Sequence, residues 1–214
     1  MKVRVAIADY GCGNIQSVVN ALNVVGADTL VASNAEQLSK GDKIILPGVG
    51  AFREAMEHLQ AGSFIEALEE EGLRKGKPIL GICLGMQLMC RCSDEGTNDD
   101  EADIQGLAWI DADVKHFNNL GLTGLKVPHM GWNELQLQRA HYLTAHIEDN
   151  ADVYFVHSHA VQCDSAENVL SYSEYGVQFV SSLVKNNIMG MQFHPEKSHK
   201  VGLQILENFV GAKF

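Results

Sequence analysis

The apolar residues of this chain fall into two rhythms that divide it near its middle. In the first half, short apolar runs alternate with segments of helical spacing. Val3–Ala8, apolar except for Arg4 and stopping at Asp9, predicts a strand covered on both faces. Ile15, Val18, Val19, Leu22 and Val25 recur along one helix face, and Gly26 follows as a stop signal. Thr29–Ala32 and Lys43–Leu46 are short β-rich runs. Phe52, Ala55, Met56, Leu59, Ile65 and Leu68 predict helix interrupted near Gly62-Ser63. Pro78–Ile82 predicts a buried strand, and Leu84–Cys90 the helix after it. Alternation of this kind implies βαβ units and a parallel sheet.

In the second half the apolar runs crowd together. Leu107–Val114, Leu125–Val127, Val153–Val156, Val169–Tyr175, Gln178–Lys185 and Ile188–Gln192 predict strands with short connections, Asn186-Asn187 being a tight turn between the last two. Short spacing implies antiparallel pairing. A helix from about Lys200 to Val210 closes the chain, and no internal repeat is visible. The expected fold is α/β: one domain, residues 1–214, with a central mixed, mostly parallel sheet flanked by helices and an antiparallel C-terminal half.

Composition narrows the function. A chain of 214 residues, 46% hydrophobic and 20% charged, buries enough surface to fold as one domain without disulfides. Its net charge of −11 lacks the basic footprint of a nucleic-acid binder. No apolar stretch is long enough to span a membrane, and the N-terminus has no signal-peptide core. Five cysteines, Cys12, Cys83, Cys90, Cys92 and Cys163, read as reduced thiols of a cytoplasmic protein. The acidic stretch Ser93–Asp103 reads as a solvated surface loop. It is no calcium loop, because the sixth position from Asp94 is Asp99 rather than Gly.

The sharpest chemical signal is Gly81-Ile82-Cys83-Leu84-Gly85 between a strand and a helix, a nucleophile elbow with Cys in place of Ser. Small glycines permit the tight turn. A helix N-terminus favours the thiolate over a thiol of ordinary pKa about 8.5. The Leu84 N–H is the natural first oxyanion donor. Taken alone, the pentapeptide is equally compatible with a buried structural cysteine. The other four cysteines lack elbow glycines and read as structural.

A nucleophilic cysteine needs a base, and the base needs an orienting group. Of nine histidines, His194 stands out because His194-Pro195-Glu196 follows a strand, at the sheet edge where open α/β proteins place their sites. Two residues apart in extended backbone, His194 and Glu196 face the same side, so Glu196 can fix the imidazole tautomer. Pro47-Gly48-Val49-Gly50-Ala51-Phe52 offers a further backbone N–H, or is an ordinary βα loop. Tyr10-Gly11-Cys12-Gly13-Asn14 fails as a dinucleotide fingerprint because Gln16 replaces the third glycine. No CxxC pair or HExxH supports a metal at His157, His159, Cys90 or Cys92.

These residues resemble the class I (triad) glutamine amidotransferases. Within them, Asp9–Asn14, Pro47–Phe52, Lys126–Asn133, Val153–Ser158 and His194–Ser198 look like the glutaminase subunits of imidazole glycerol phosphate synthases. The resemblance spans nearly the whole chain. It implies that Cys83 attacks the side-chain amide of L-glutamine, with His194 as base and acid and Glu196 behind it. It implies an oxyanion site at Leu84, Val49 and Gly50, and substrate contacts from Gln87, Glu95, Gly48, His157 and Ser158. His159 departs from the pattern, standing where Tyr is expected. The resemblance further implies a heterodimer with a (β/α)₈-barrel cyclase that Asn14, Trp132 and Lys197 face, no cofactor and no metal. Ammonia then serves histidine biosynthesis. Rival readings are a glutaminase for anthranilate or aminodeoxychorismate synthase, a stand-alone α/β cysteine hydrolase, and a flavodoxin-like binding module. Lys126–Asn133 and Asp9–Asn14 argue against the first of these.

Overall fold

Four parallel strands carry the first half: β1 (Arg4–Ala8), β2 (Asp28–Ala32), β3 (Lys43–Gly48) and β4 (Ile79–Cys83), in the order β2-β1-β3-β4. A computed structural model describes residues 2–97 and 102–212. These strands read as unbroken apolar runs because alternate residues serve two cores. Ala6, Ala8, Ile44 and Leu46 pack into one, and Val5, Ile7, Ile45 and Leu80 into the other. Helices α1 (Ile15–Val24) and α5 (His199–Gly211) cover the second core with Val18, Leu22, Ile205 and Phe209. The first core is covered by α2 (Phe52–Ala61), α3 (Phe64–Leu68) and α4 (Leu84–Leu88). The predicted break at Gly62-Ser63 separates α2 from α3, Ser63 taking φ 55°. A π-helical turn, Glu69–Arg74, continues α3.

The remaining strands are β5 (Cys90–Ser93), β6 (Ile104–Gln105), β7 (Ile110–His116), β8 (His129–Leu137), β9 (Ala151–His157), β10 (His159–Cys163), β11 (Val169–Glu174), β12 (Gln178–Lys185) and β13 (Ile188–Met191). Their mutual pairings are antiparallel except β5 with β7. The last strand, β13, joins the first half by running parallel to β4, with Met191 opposite Ile82. The carboxyl ends of β3, β4 and β13 therefore meet at one edge.

The elements differ from expectation in several places, β5 and β6 among them. Helix α4 ends at Leu88, not Cys90, because the Leu88 and Met89 carbonyls accept from Leu107, Trp109 and Ile110 N–H groups rather than from a further turn. Leu125–Val127 is not a strand. The strand is β8, just beyond a cis Val127–Pro128 bond, and it was hidden because its outward residues, Met130 and Trp132, are apolar and exposed. Strand β10 follows β9 after Ser158 alone and was not expected. Of the acidic stretch, Ser93 completes β5, and positions 98–101 lie outside the described residues. Among the described residues, no helix is long and apolar enough to cross a membrane.

Candidate active site

Strand β4 ends on Cys83 and α4 begins on Leu84, so a single residue makes the reversal. Cys83 takes φ 53° and ψ −110°, a backbone strained by about 1–3 kcal/mol for an L residue. Flanking glycines make the bend possible. A Cβ on Gly85 would overlap the Leu46 carbonyl oxygen, and one on Gly81 would stand 2.7 Å from the Gly85 carbonyl oxygen. The Leu84 N–H, at the first position of α4, has no partner within its helix.

Because β13 lies beside β4, the chain leaving it passes the thiol. His194 is 2% exposed, and its Nδ1 donates to Glu196 Oε1 at 2.8 Å. A carboxylate only accepts, so Nδ1 carries the proton and Nε2 is the basic atom. Nε2 is buried with no hydrogen-bond partner among the described residues, and His194 lines the same cavity as Cys83. Burial opposes the imidazolium, but the neighbouring Cys83 and Glu196 outweigh it and raise the His194 pKa to about 9. Glu196 Oε2 is also buried with no hydrogen-bond partner among the described residues, and His194 is the group paired with this carboxylate.

The cavity holds about 300 Å³, at the lower end of the range for small-molecule sites. Of the expected residues, Val49, Gly50, Cys83, Leu84, Gln87, Glu95, His157, Ser158 and His194 line it. Glu196 stands behind His194. Gly48 is not in the lining. It packs at the end of β3, where a Cβ would meet Gly85 N at 2.8 Å. Glu95 Oε2 accepts the Phe52 N–H at 2.8 Å, tying the end of the Val49–Ala51 loop to the cavity wall. His159 also lines the site. Its ring meets that of His116 edge-on at 4.9 Å, and burial lowers its pKa.

Several groups were not legible in the sequence. Pro128 and Val156 complete the lining, the Val156 carbonyl lying 3.8 Å from Cys83 Sγ. Gln192, fully buried, contacts both Gln87 and Cys83. Behind the wall, His157 Nδ1 donates to the His159 carbonyl at 2.8 Å, so its Nε2 accepts the His129 Nδ1 proton at 3.1 Å. Burial lowers the pKa of His129 to about 4 and of His157 to about 3, so both are neutral structural groups near pH 7. Among the described residues, no group of three or more His, Cys, Asp or Glu is arranged to hold a metal ion.

The residues expected to face a partner lie outside the cavity. Trp132 is 46% exposed and stacks on His199 at 4.8 Å, with its edge toward Tyr154. Lys197 Nζ lies 5.9 Å from the centre of the Tyr154 ring. Asn14 is exposed at the N-terminus of α1.

A cysteine on a glycine-lined bend, a base held by a carboxylate and a small polar cavity suit acyl transfer from an amide. Comparison with known proteins points the same way. Residues 6–212 match the family model for class-I glutamine amidotransferases. The chain is 46% identical to imidazole glycerol phosphate synthase subunit HisH 1 of Campylobacter jejuni over 206 residues, covering 96% of this chain and 98% of that one. It is 43% identical to subunit HisH of Geobacter sulfurreducens over 209 residues, covering 96% and 97% respectively. Among solved structures, a putative GMP synthase subunit from Thermoplasma acidophilum superposes with a TM-score of 0.69 at 20% identity, covering 99% of this chain and 94% of that one.

Proposed function

The chain belongs to the class-I glutamine amidotransferases, and from that premise we propose that it hydrolyses L-glutamine to glutamate and ammonia as the glutaminase subunit of an imidazole glycerol phosphate synthase. Residues 1–214 act as one glutamine amidotransferase domain. The observation that carries the chemistry is the state of His194: Nδ1 is held by Glu196, Nε2 has no hydrogen-bond partner among the described residues, and the residue lines the same cavity as Cys83.

The Cys83 proton rests on His194 Nε2, so the pair reacts as thiolate and imidazolium, and the sulfur attacks the side-chain carboxamide carbon of glutamine. The developing oxyanion is held by the Leu84 N–H and by an N–H of the Val49–Gly50 segment. His194 returns the proton to the nitrogen, the C–N bond breaks, and ammonia leaves a γ-glutamyl thioester. Water, deprotonated by His194, attacks the thioester and releases glutamate. Glu95 pairs with the substrate ammonium group, while Gln87, His157 and Ser158 line its path. Gly48 contributes by fixing the loop.

Ammonia released into water is protonated and loses its nucleophilic pair, so the product is handed to a docked partner. We assign that role to a (β/α)₈-barrel cyclase seated on Asn14, Trp132 and Lys197, in a cytoplasmic heterodimer serving histidine biosynthesis. The 39–46% identity to HisH subunits over nearly full length supports this acceptor. Glutamate production from glutamine, with and without a barrel cyclase and its ribonucleotide substrate, tests the reading. Turnover rising with both present is expected. Full turnover by the chain alone contradicts the coupled form.

A further inference from the structure

The buried amide of Gln192 lies between two groups of the proposed site without being used by its mechanism. The orientation of every amide in this network follows from one carbonyl. The His159 backbone oxygen only accepts, so the Gln87 atom 3.0 Å from it is the NH₂ nitrogen. That same nitrogen donates to Gln192 at 2.9 Å, which makes the Gln192 partner its Oε1. The other end of Gln192, its Nε2, therefore faces Cys83 and donates to Sγ at 3.7 Å. Gln192 is 0% exposed, and both of its polar atoms are engaged.

Two consequences follow from this geometry. The Gln87 NH₂ is committed to two protein acceptors, while its Oε1 has no donor among the described residues and its side chain lines the cavity. Gln87 is thus fixed as an acceptor toward ligand N–H groups, which the carboxamide of glutamine offers and the carboxylate of glutamate does not. At the sulfur, an N–H donor strengthens its bond as negative charge appears, and so favours the thiolate.

We propose that Gln192 is the positioning residue of this site, its carbonyl locking Gln87 as a substrate-facing acceptor while its N–H steadies the Cys83 thiolate. The inference rests on the glutaminase reading for its substrate half and on geometry alone for its sulfur half.

The test is the alkylation rate of Cys83 by iodoacetamide in the full-length chain, read by peptide mass mapping, as a function of pH. Wild type, Gln192→Met and Gln192→Glu are compared, with and without excess L-glutamine. Methionine is close to glutamine in volume, and thermal melting checks that both variants fold. In Gln192→Met the pH of half-maximal rate rises by about one unit, the effect of losing one hydrogen bond to a charged atom. It rises further in Gln192→Glu, whose carboxylate sets like charge beside the sulfur. Gln192→Glu keeps an acceptor for Gln87, so glutamine still shields Cys83. In Gln192→Met shielding falls about tenfold, as expected from the same loss at Gln87. An unchanged midpoint in Gln192→Met, or wild-type shielding in Gln192→Met, overturns the assignment. Failure of the glutaminase reading shows differently, as wild-type Cys83 that glutamine does not shield, and the midpoint then still decides the role of Gln192 at the sulfur.

Discussion

Gly48 stands directly opposite Cys83 in the parallel ladder between β3 and β4. The residues that follow it, Val49 and Gly50, are thereby delivered to the cavity beside the sulfur, and Gly50 sits at φ 106°, a conformation open to glycine. The same two strands that place Cys83 thus place the segment proposed to complete the oxyanion site. Removing the Val49 N–H with Val49→Pro is expected to lower turnover by about 10²–10³-fold, the loss typical of one oxyanion donor. Steady-state kinetics on the cyclase complex, with melting temperature as the folding control, checks this. Near-wild-type turnover would remove Val49 from the oxyanion site.

The pH dependence follows from His194. Its folded pKa of about 9 lies above the ordinary 6.5, so the imidazolium persists through neutral pH. The stabilisation it contributes is fully present below about 6.5 and is lost as pH rises through about 9. Turnover should fall on the same alkaline limb, because the group that protonates the leaving nitrogen is lost there. Glu196→Gln removes one of the groups that raise this pKa, so the limb should move to lower pH. A pH profile of kcat/KM for both proteins is the measurement, and coincident alkaline limbs would count against the assignment of Glu196.

The elbow itself has no spare volume. Gly85→Ala drives a methyl into the Leu46 carbonyl, a fixed backbone atom, and is expected to destabilise the fold by about 3 kcal/mol or more. Chemical denaturation measures this. Gly211→Ala, at the last residue of α5, meets nothing within 4 Å of its new Cβ and serves as the steric control.

Glu95 already accepts the Phe52 N–H, so its carboxylate is held in place before substrate arrives. Glu95→Ala should raise the KM for glutamine about tenfold or more, since a hydrogen-bonded charge pair with the ammonium group contributes on the order of 1.5–3 kcal/mol. The kcat should change less than KM. A fall in kcat at constant KM would instead place Glu95 in the chemical step.

What the sequence made legible was local. The β4–α4 elbow could be read because its glycines, its apolar strand and Cys83 are adjacent in the chain. The pairing of His194 with Glu196 could be read in its partners but not in its backbone: Pro195–Lys197 is a 3₁₀ turn rather than extended chain, and that turn brings Glu196 Oε1 to within 2.8 Å of Nδ1. Strand β8 escaped because its exposed face carries Met130 and Trp132 while its inward face carries Gly131 and Asn133, the reverse of the usual alternation. The early end of α4 escaped because its last carbonyls are taken by Leu107, Trp109 and Ile110, some twenty residues away. Gln192 escaped for a related reason. One polar residue ending an apolar strand says nothing until β13 is laid against β4 and the amide reaches Cys83 and Gln87.

The most direct trial of Cys83 as nucleophile is to quench the chain during turnover with labelled glutamine, in the presence of the cyclase and its ribonucleotide, and map the label by peptide mass spectrometry. One glutamyl group carried on the Cys83 peptide, and absent from a Cys83→Ala variant that folds normally but releases no ammonia, is the predicted result. A glutamyl group on another residue, or a Cys83→Ala chain that hydrolyses glutamine at the wild-type rate, would contradict the account.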